Sequence, residues 1–460
     1  MNDDMRPIAV IGAGFSGTMT ARHLLDRVGG RRILLCERGP TFARGAAYST
    51  DDPVHLLNVR AENMSAFSAE PNHFAAWLEG LGDIPPRHVH RTPVGTFVSR
   101  VLYGRYLTSL VQEPLSTRDG AARFRIVPDE VVRLEKRPAG GYILHLACGR
   151  THEIAGAVLA LGNLAERADE TPSRLVRDPW SARFTEGLEP GRPVVIVGTG
   201  LTMVDIALSL SASGFPGPVL AISRRGLVPG AHVPAGPWKL AQFDPLAEAP
   251  LSRMLHAMRR DVRAAAEAGA PWQSVIDAMR PVTSAAWQRL SVSEQARFLR
   301  HLRPWWDVHR HRMAPPVDSR FRQLVAEGYL TAAAGRIAAM DVLEDGVAID
   351  WQPRGTGRTE RLAAQRVILA TGSPPAASCG DPLLTSLEEA GLIRSDPHGL
   401  GIEADGAFQA IGRNGAPSEA LWAVGPIVRG SLWECSAVPD IRRDAERVAD
   451  SIGARLASPS

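Results

Sequence analysis

Apolar positions open the chain as a run of four, Ile8 to Ile11, which stops at Gly12-Ala13-Gly14-Phe15-Ser16-Gly17. A short apolar run bounded by turn residues predicts a buried strand. Ala21, Leu24, Leu25 and Val28 then recur at i, i+3, i+4, i+7, which predicts a helix with one buried face, ended by Gly29-Gly30. A second run, Ile33 to Cys36, predicts a strand that delivers Glu37. From 54 to 67 apolar and amide residues mix without clean period, as in a buried loop. The pattern beyond predicts helices over 74–81 and 98–115 and strands over 124–127, 131–136 and 142–147, with Gly140-Gly141 as a turn. A buried strand from Ala157 ends at Gly162.

Pro190-Gly191-Arg192-Pro193 interrupts the chain, and the opening pattern returns. Val194 to Val197 reads as a strand, Gly198-Thr199-Gly200-Leu201-Thr202-Met203 as a turn, the residues to about Ser211 as a helix, and Val219 to Ile222 as a strand. Glu37 stands 25 positions after Gly12, and Ser223 stands 25 positions after Gly198. Strands near 338–343 and 347–351, then Val367 to Ala370 before Gly372, repeat the meander and strand that precede Gly162. Such self-similarity means two copies of one supersecondary unit. About 251–317 is rich in helix formers without counterpart in the first copy, and reads as a helical insertion. Leu421 to Val424 ends in Gly425, and a last helix starts near Val438-Pro439, with proline suited to its first turn. The expected fold is α/β, with two Rossmann-like dinucleotide-binding domains of the three-layer ββα type. The first comprises residues 1–169 and 376–460, and the second 190–375 with the insertion inside it.

Strand, glycine turn, helix, strand and acid in that order make a dinucleotide site. Gly12 permits the tight turn, Gly14 lets a pyrophosphate approach the backbone, and Gly17 lets helix and strand pack closely. The helix start adds N–H donors and partial positive charge. Glu37 suits a free ribose, as in FAD. In the second copy that acid is replaced by Ser223, and Arg224-Arg225 follow. Hydroxyl and guanidinium donors suit a 2′-phosphate, so the second site is expected to take NADPH through Gly198, Thr199, Gly200, Thr202, Ser223, Arg224 and Arg225.

Composition changes this picture little. A net charge of +3 over 460 residues argues against nucleic acid as a partner. The four cysteines lie far apart with no C-x-x-C, which excludes a redox dithiol and fits a reducing cytosol. The first strand begins within eight residues of Met1, so no signal peptide is expected, and no apolar run is long enough to span a membrane. A cytoplasmic protein is the expectation. His301, His309 and His311 stand among arginines that would repel a cation, so no metal site is expected. Cys435 reads as a lone buried thiol.

The segments GAGFSG, HLLNVRAENMSAF, GTGLTMVD, SRRG and LWAVGPIVRGSLWECSAVP resemble those of the two-dinucleotide-binding-domain flavoproteins of the FAD/NAD(P)-binding oxidoreductase family. More distantly the chain resembles class B flavin monooxygenases, including amino-acid N-hydroxylases. The resemblance implies bound FAD, NADPH as hydride donor and often oxygen as co-substrate. It implies an FAD site of Gly12, Gly14, Ser16, Gly17, Glu37 and Arg38, completed by backbone near Val132, Gly162, Gly425 and the Val438 helix start. Asn58, Met64, Ser65 and Trp433 are the expected flavin neighbours. The family's usual acid after the last glycine is replaced by Pro426, leaving backbone N–H groups for that contact. Paired cysteines of a disulfide reductase and the F-x-G-x-x-x-H-x-x-x-W Baeyer–Villiger fingerprint are both absent. The expected activity is therefore monooxygenation of a small amine or other soft nucleophile through a flavin C4a-hydroperoxide. The alternatives are an NADPH-dependent reductase or dehydrogenase of a small substrate and a non-catalytic redox-sensing flavoprotein. Arg303, Trp305, Trp306 and Arg310, which end the insertion, combine stacking faces with anion-binding forks and are the expected substrate contacts.

Overall fold

The computed structural model describes residues 5–164, 173–180, 183–244, 249–372 and 379–457. Two sheets carry the architecture. The first has six strands, in the order Gln409–Ile411, Pro417–Ala423, Gly156–Leu159, Ile8–Ile11, Ile33–Cys36, Phe124–Val127. All neighbours are parallel except the Gln409–Ile411 edge pair, and Leu421 pairs with Ala157, so the C-terminal stretch completes the sheet that the N-terminus begins. The four residues of Ile8–Ile11 are all buried, as continuous apolar runs are when a parallel sheet is covered on both faces. The meander Val131–Lys136, Tyr142–Leu146, Thr151–Ile154 stands beside it as a separate antiparallel sheet.

The second sheet has seven strands, in the order Leu175–Val176, Arg366–Leu369, Val194–Val197, Val219–Ser223, Leu330–Val342, Val347–Pro353, Glu360–Ala364. Here the meander is fused to the parallel part. The strand Leu330–Val342 runs parallel to Val219–Ser223 through its first half and antiparallel to Val347–Pro353 through its second. It starts well before the residue-338 position that the pattern suggests. Its first half, LTAAAGR, has neither β-branched alternation nor a turn signal, and sheet pairing overrides its local preference. The two sheets show the two Rossmann-like units of the repeat. The domain boundaries expected near 169 and 376 lie outside the described residues.

The helix Phe15–Arg27 packs on the last helix, Val438–Ala457, whose start brings Ile441 to the first glycine turn while Gly453 lies against Arg27. Five helices, Leu251–Glu267, Trp272–Met279, Thr283–Arg289, Val292–His301 and Arg303–Arg310, form the insertion, with its own apolar cluster around Phe243, Met254, Ile276 and Trp306. The next helix, Pro315–Ala326, contains the expected end of the insertion at 317. It buries Val317, Phe321 and Leu324 in the core of the second sheet instead.

Candidate functional site

The first glycine turn separates structural from open positions. A Cβ on Gly12, at φ +99°, would lie 2.4 Å from the Ala160 carbonyl oxygen, and one on Gly17 would lie 1.8 Å from that of Gly12. Gly14 is different. Its backbone is extended, at φ −74° and ψ −170°, and a Cβ there would meet nothing nearer than Gly45 Cα at 3.6 Å. It borders a cavity of about 500 Å³ lined also by Gly12, Ser16, Glu37, Arg38 and Gly162. Space at an extended glycine beside a helix start is the cradle that a pyrophosphate requires. The Glu37 carboxylate also lines it, and is held in place by the N–H groups of Ala13 at 2.8 Å and Gly39 at 2.9 Å. Arg38 is half-exposed and pairs with Asp381 at 3.5 Å and Glu130 at 3.7 Å.

Other expected members sit elsewhere. Val131, buried at the strand start, lines the cavity in place of its half-exposed neighbour Val132. Gly425, at φ +82°, is packed against the first helix, where a Cβ would strike Ser16 Oγ at 2.3 Å, and it is the following Pro426 that reaches the cavity. Val438 lines a second cavity, of about 560 Å³. Ala47, Tyr48 and Ser436 border both, so the two are adjacent.

Asn58 and Met64 line the second cavity, together with Leu201 at the start of the second glycine-turn helix. Ser65 and Trp433 do not join them. Ser65 is buried with its hydroxyl donating to the Phe67 and Glu70 carbonyls, and Trp433 stacks on Trp287 of the insertion at 4.8 Å between ring centroids. Side chains that the sequence did not single out complete the wall: Arg280, Arg312, Arg442, His232 and Asp440. They come from four separate stretches of the chain, and only its folding gathers them. His232 donates from Nε2 to the Asn58 carbonyl at 2.8 Å. Burial, with Arg312 and Arg60 nearby, pushes its pKa down to about 4 despite that bond. Burial and then Arg310 push His311 to about 3.

The second glycine turn repeats the first in detail. A Cβ on Gly198 would lie 2.3 Å from the Ala370 carbonyl, whereas Gly200 has nothing within 4 Å. Ser223 is engaged: Thr199 Oγ1 donates to the Leu227 carbonyl at 2.5 Å, so Ser223 donates to Thr199 at 2.8 Å and accepts from Gly226 N–H at 3.0 Å. Its hydroxyl anchors the loop and leaves the guanidiniums as free donors. Arg224 is exposed, and Arg225 lies 6.0 Å from the centre of the Trp305 ring. Neither has a carboxylate partner among the described residues. Thr202 sits in the first turn of the helix Leu201–Ala212.

The four expected substrate residues do not converge. Along the helix Arg303–Arg310, Trp306 and Arg310 lie four apart on one face and share Glu434, while Trp305 lies on another. Arg303 is tied to Asp307 at 3.4 Å. Trp305 is exposed and Trp306 buried, with Nε1 donating to Glu434 at 2.9 Å, and both line a third, apolar cavity of about 590 Å³. Arg310 alone reaches the second cavity. His309 Nδ1 donates to the Trp305 carbonyl at 2.6 Å, and no group of three His, Cys, Asp or Glu among the described residues could hold a metal ion. No two of the four cysteines form a disulfide, and burial raises the Cys36 thiol to about 12 and the Cys435 thiol well above its ordinary value. No helix among the described residues is long and apolar enough to cross a membrane.

Residues 9–164 match a family model described as FAD-NAD(P)-binding. The first unit is an FAD-NAD(P)-binding domain. No curated protein matches the chain. Among solved structures, the reduced ornithine hydroxylase PvdA of Pseudomonas aeruginosa superposes with a TM-score of 0.65 at 14% identity, covering 98% of this chain and 100% of that one. The L-lysine 6-monooxygenase of Pseudomonas syringae does so at 0.60 and 16%, over 99% and 100%. The bacillithiol disulfide reductase Bdr of Bacillus cereus reaches 0.53 at 14%, over 98% and 99%. At such identities the likeness is one of fold.

Proposed function

We propose that this FAD-NAD(P)-binding chain is an FAD-dependent, NADPH-using oxidoreductase, and specifically a monooxygenase of a small amine or other soft nucleophile. One observation carries the reading. The groove at the first glycine turn adjoins, across Ala47, Tyr48 and Ser436, a cavity that also carries Leu201 from the second turn. A dinucleotide laid along Gly12, Gly14 and Glu37 would have its far end directed there, at the place a nucleotide on Gly198 and Gly200 would also reach. Residues 1–169 with 376–460 would hold FAD, and 190–375 NADPH. Bound flavin would take hydride from NADPH and deliver electrons to oxygen.

The chain's own residues would do the rest. Gly14 and Gly200 leave room for phosphates, Glu37 accepts from the ribose, and the start of the helix Val438–Ala457 puts partial positive charge where reduced flavin is negative. His232 and His311, held neutral, add no charge of their own at physiological pH. Disulfide reduction is disfavoured, since no C-x-x-C pair is present and the two most buried thiols are hard to ionise.

The test is turnover of FAD-loaded protein against a panel of small amines and sulfides, following NADPH, oxygen and oxygenated product together. Matching NADPH and oxygen consumption with product is expected. Substrate-dependent turnover without oxygen would establish a reductase or dehydrogenase instead, and flavin binding without any turnover a sensing role. In the same assay Arg224→Ala with Arg225→Ala should weaken NADPH by about one to three orders of magnitude and leave NADH nearly unchanged. Equal loss for both cofactors would remove the 2′-phosphate role from these arginines.

A further inference from the structure

The second cavity has an imbalance of charge that the nucleotides do not account for. Seven arginines line it, against two aspartates. Following each guanidinium to its partner sharpens the point. Arg100 is matched by Asp205 at 2.6 Å, and Arg312 by Asp277. Arg280 and Arg443 share Asp440, at 2.9 and 2.8 Å, and Arg310 takes Glu434 at 3.0 Å. Arg60 and Arg442 have no carboxylate among the described residues. Seven cations therefore face four anions. Arg310 and Arg312 are more than nine-tenths buried, and the Nε–H groups of Arg310, Arg312 and Arg442 are buried with no acceptor. Buried guanidiniums with unsatisfied donors are costly, and a surplus of cations around one cavity is offset by a ligand that brings negative charge to it. The two histidines of the wall, His232 and His311, do not offset the excess.

From this we infer that the cavity is the acceptor site of the proposed oxidoreductase and takes a small polyanion, a molecule bearing at least two carboxylate or phosphate groups beside the atom that reacts. The inference rests on the proposed reading only for the word acceptor; the anion site stands on the arginines. A free diamine would enter against seven guanidiniums and is selected against. The nucleotide phosphates have their own cradles at Gly14 and Gly200, and the unpartnered donors lie between those two turns, on the insertion, the 54–67 loop and the last helix. Guanidiniums from three elements give planar forks in several directions, which suits two anionic groups on one small frame better than a single one.

Isothermal titration of the FAD-loaded protein, without NADPH, tests this. The probes are citrate, inorganic pyrophosphate, L-lysine and 1,4-diaminobutane. Citrate or pyrophosphate should bind at least roughly tenfold tighter than either amine, and weaken as salt rises. Preference for citrate identifies a carboxylate ligand, and preference for pyrophosphate a phosphorylated one. Arg60→Gln and Arg442→Gln, which break no ion pair, should each weaken the better anion by roughly tenfold while FAD absorbance and melting temperature hold. Equal or tighter binding of the diamine, or unchanged anion affinity in both variants, overturns the proposal. So does loss of the anion on saturation with NADP+, which would hand the arginines to the nucleotide. Failure of the flavin reading looks different: no FAD retained, or no NADPH oxidised, with anion binding intact.

Discussion

At the scale of single residues, the glycines of one turn have different reasons to be glycine. Gly17 has no room for a Cβ, whereas Gly14 has room that belongs to a ligand. Unfolding of the FAD-free proteins in urea should show Gly17→Ala destabilised by about 1–3 kcal/mol or more, from overpacking against the Gly12 carbonyl. Gly14→Val should stay within roughly 1 kcal/mol of the native chain yet retain no FAD. Full flavin occupancy in that variant would remove the nucleotide from this turn. Asp444, on the last helix, offers a second residue-scale test. Burial raises its carboxyl to about 7, against the pull of Arg447. A raised folded pKa means stability that is complete below the unfolded value, near 4, and is lost as pH rises to about 7. Asp444→Asn should therefore be more stable than the native chain by roughly 1–4 kcal/mol at pH 8, a gain that shrinks to nothing near pH 4. His232 and His311, with lowered values, lose stability in the opposite direction on acidification, but they are common to both proteins and cancel. A gain independent of pH would mean that Asp444 is ionised throughout.

The insertion shows what an element can conceal. The buried stripe of its first helix is Met254, Ala257, Asp261 and Ala265, an acid in an apolar row. Asp261 is fully buried and accepts from the N–H groups of Ala241, Gln242 and Phe243 at 3.0 to 3.3 Å. It ties the incoming loop to the helix bundle. Asp261→Asn keeps the shape but turns one acceptor into a donor facing donors. A loss of about 1–3 kcal/mol is expected, with faster tryptic cleavage of the arginine-rich insertion than of the two sheets. Unchanged cleavage would show that the loop is held by other means. Helix Arg303–Arg310 teaches the converse: a cluster of functional residue types in sequence can be dispersed over the faces of one helix.

Across the whole molecule, polar side chains join the two units. Arg100 and Asp205 form a buried pair between the helix Arg100–Leu115 and the second glycine-turn helix. Beside it His55 Nε2 meets Ser209 Oγ at 2.8 Å, which in turn donates to Asp52 at 2.9 Å. Removing one member of a buried pair leaves an uncompensated charge, so Asp205→Ala should cost about 3–5 kcal/mol in equilibrium unfolding. The double change Arg100→Met with Asp205→Leu should recover most of it. If the double variant is as unstable as the single, the pair's hydrogen bonds rather than its stranded charge hold the units together.

The chain's periodicities alone determined the two glycine turns, the strands 33–36, 124–127 and 131–136 to the residue, and the helical insertion, because each is coded by neighbours within a few positions. The contrast of Glu37 with Ser223 was legible for the same reason, as a difference at one place in a repeat. Tertiary structure decided what depends on distant residues meeting. It spent the Ser223 hydroxyl on Thr199, split Arg303 and Trp305 from Arg310, and set Pro426 where Gly425 was expected. It gathered Arg60, Arg280, Arg312 and Arg442 from four separate stretches into one cavity wall. No local pattern marks an arginine whose partner comes from elsewhere in the chain; its role exists only once the backbone has brought an excess of charge around one cavity.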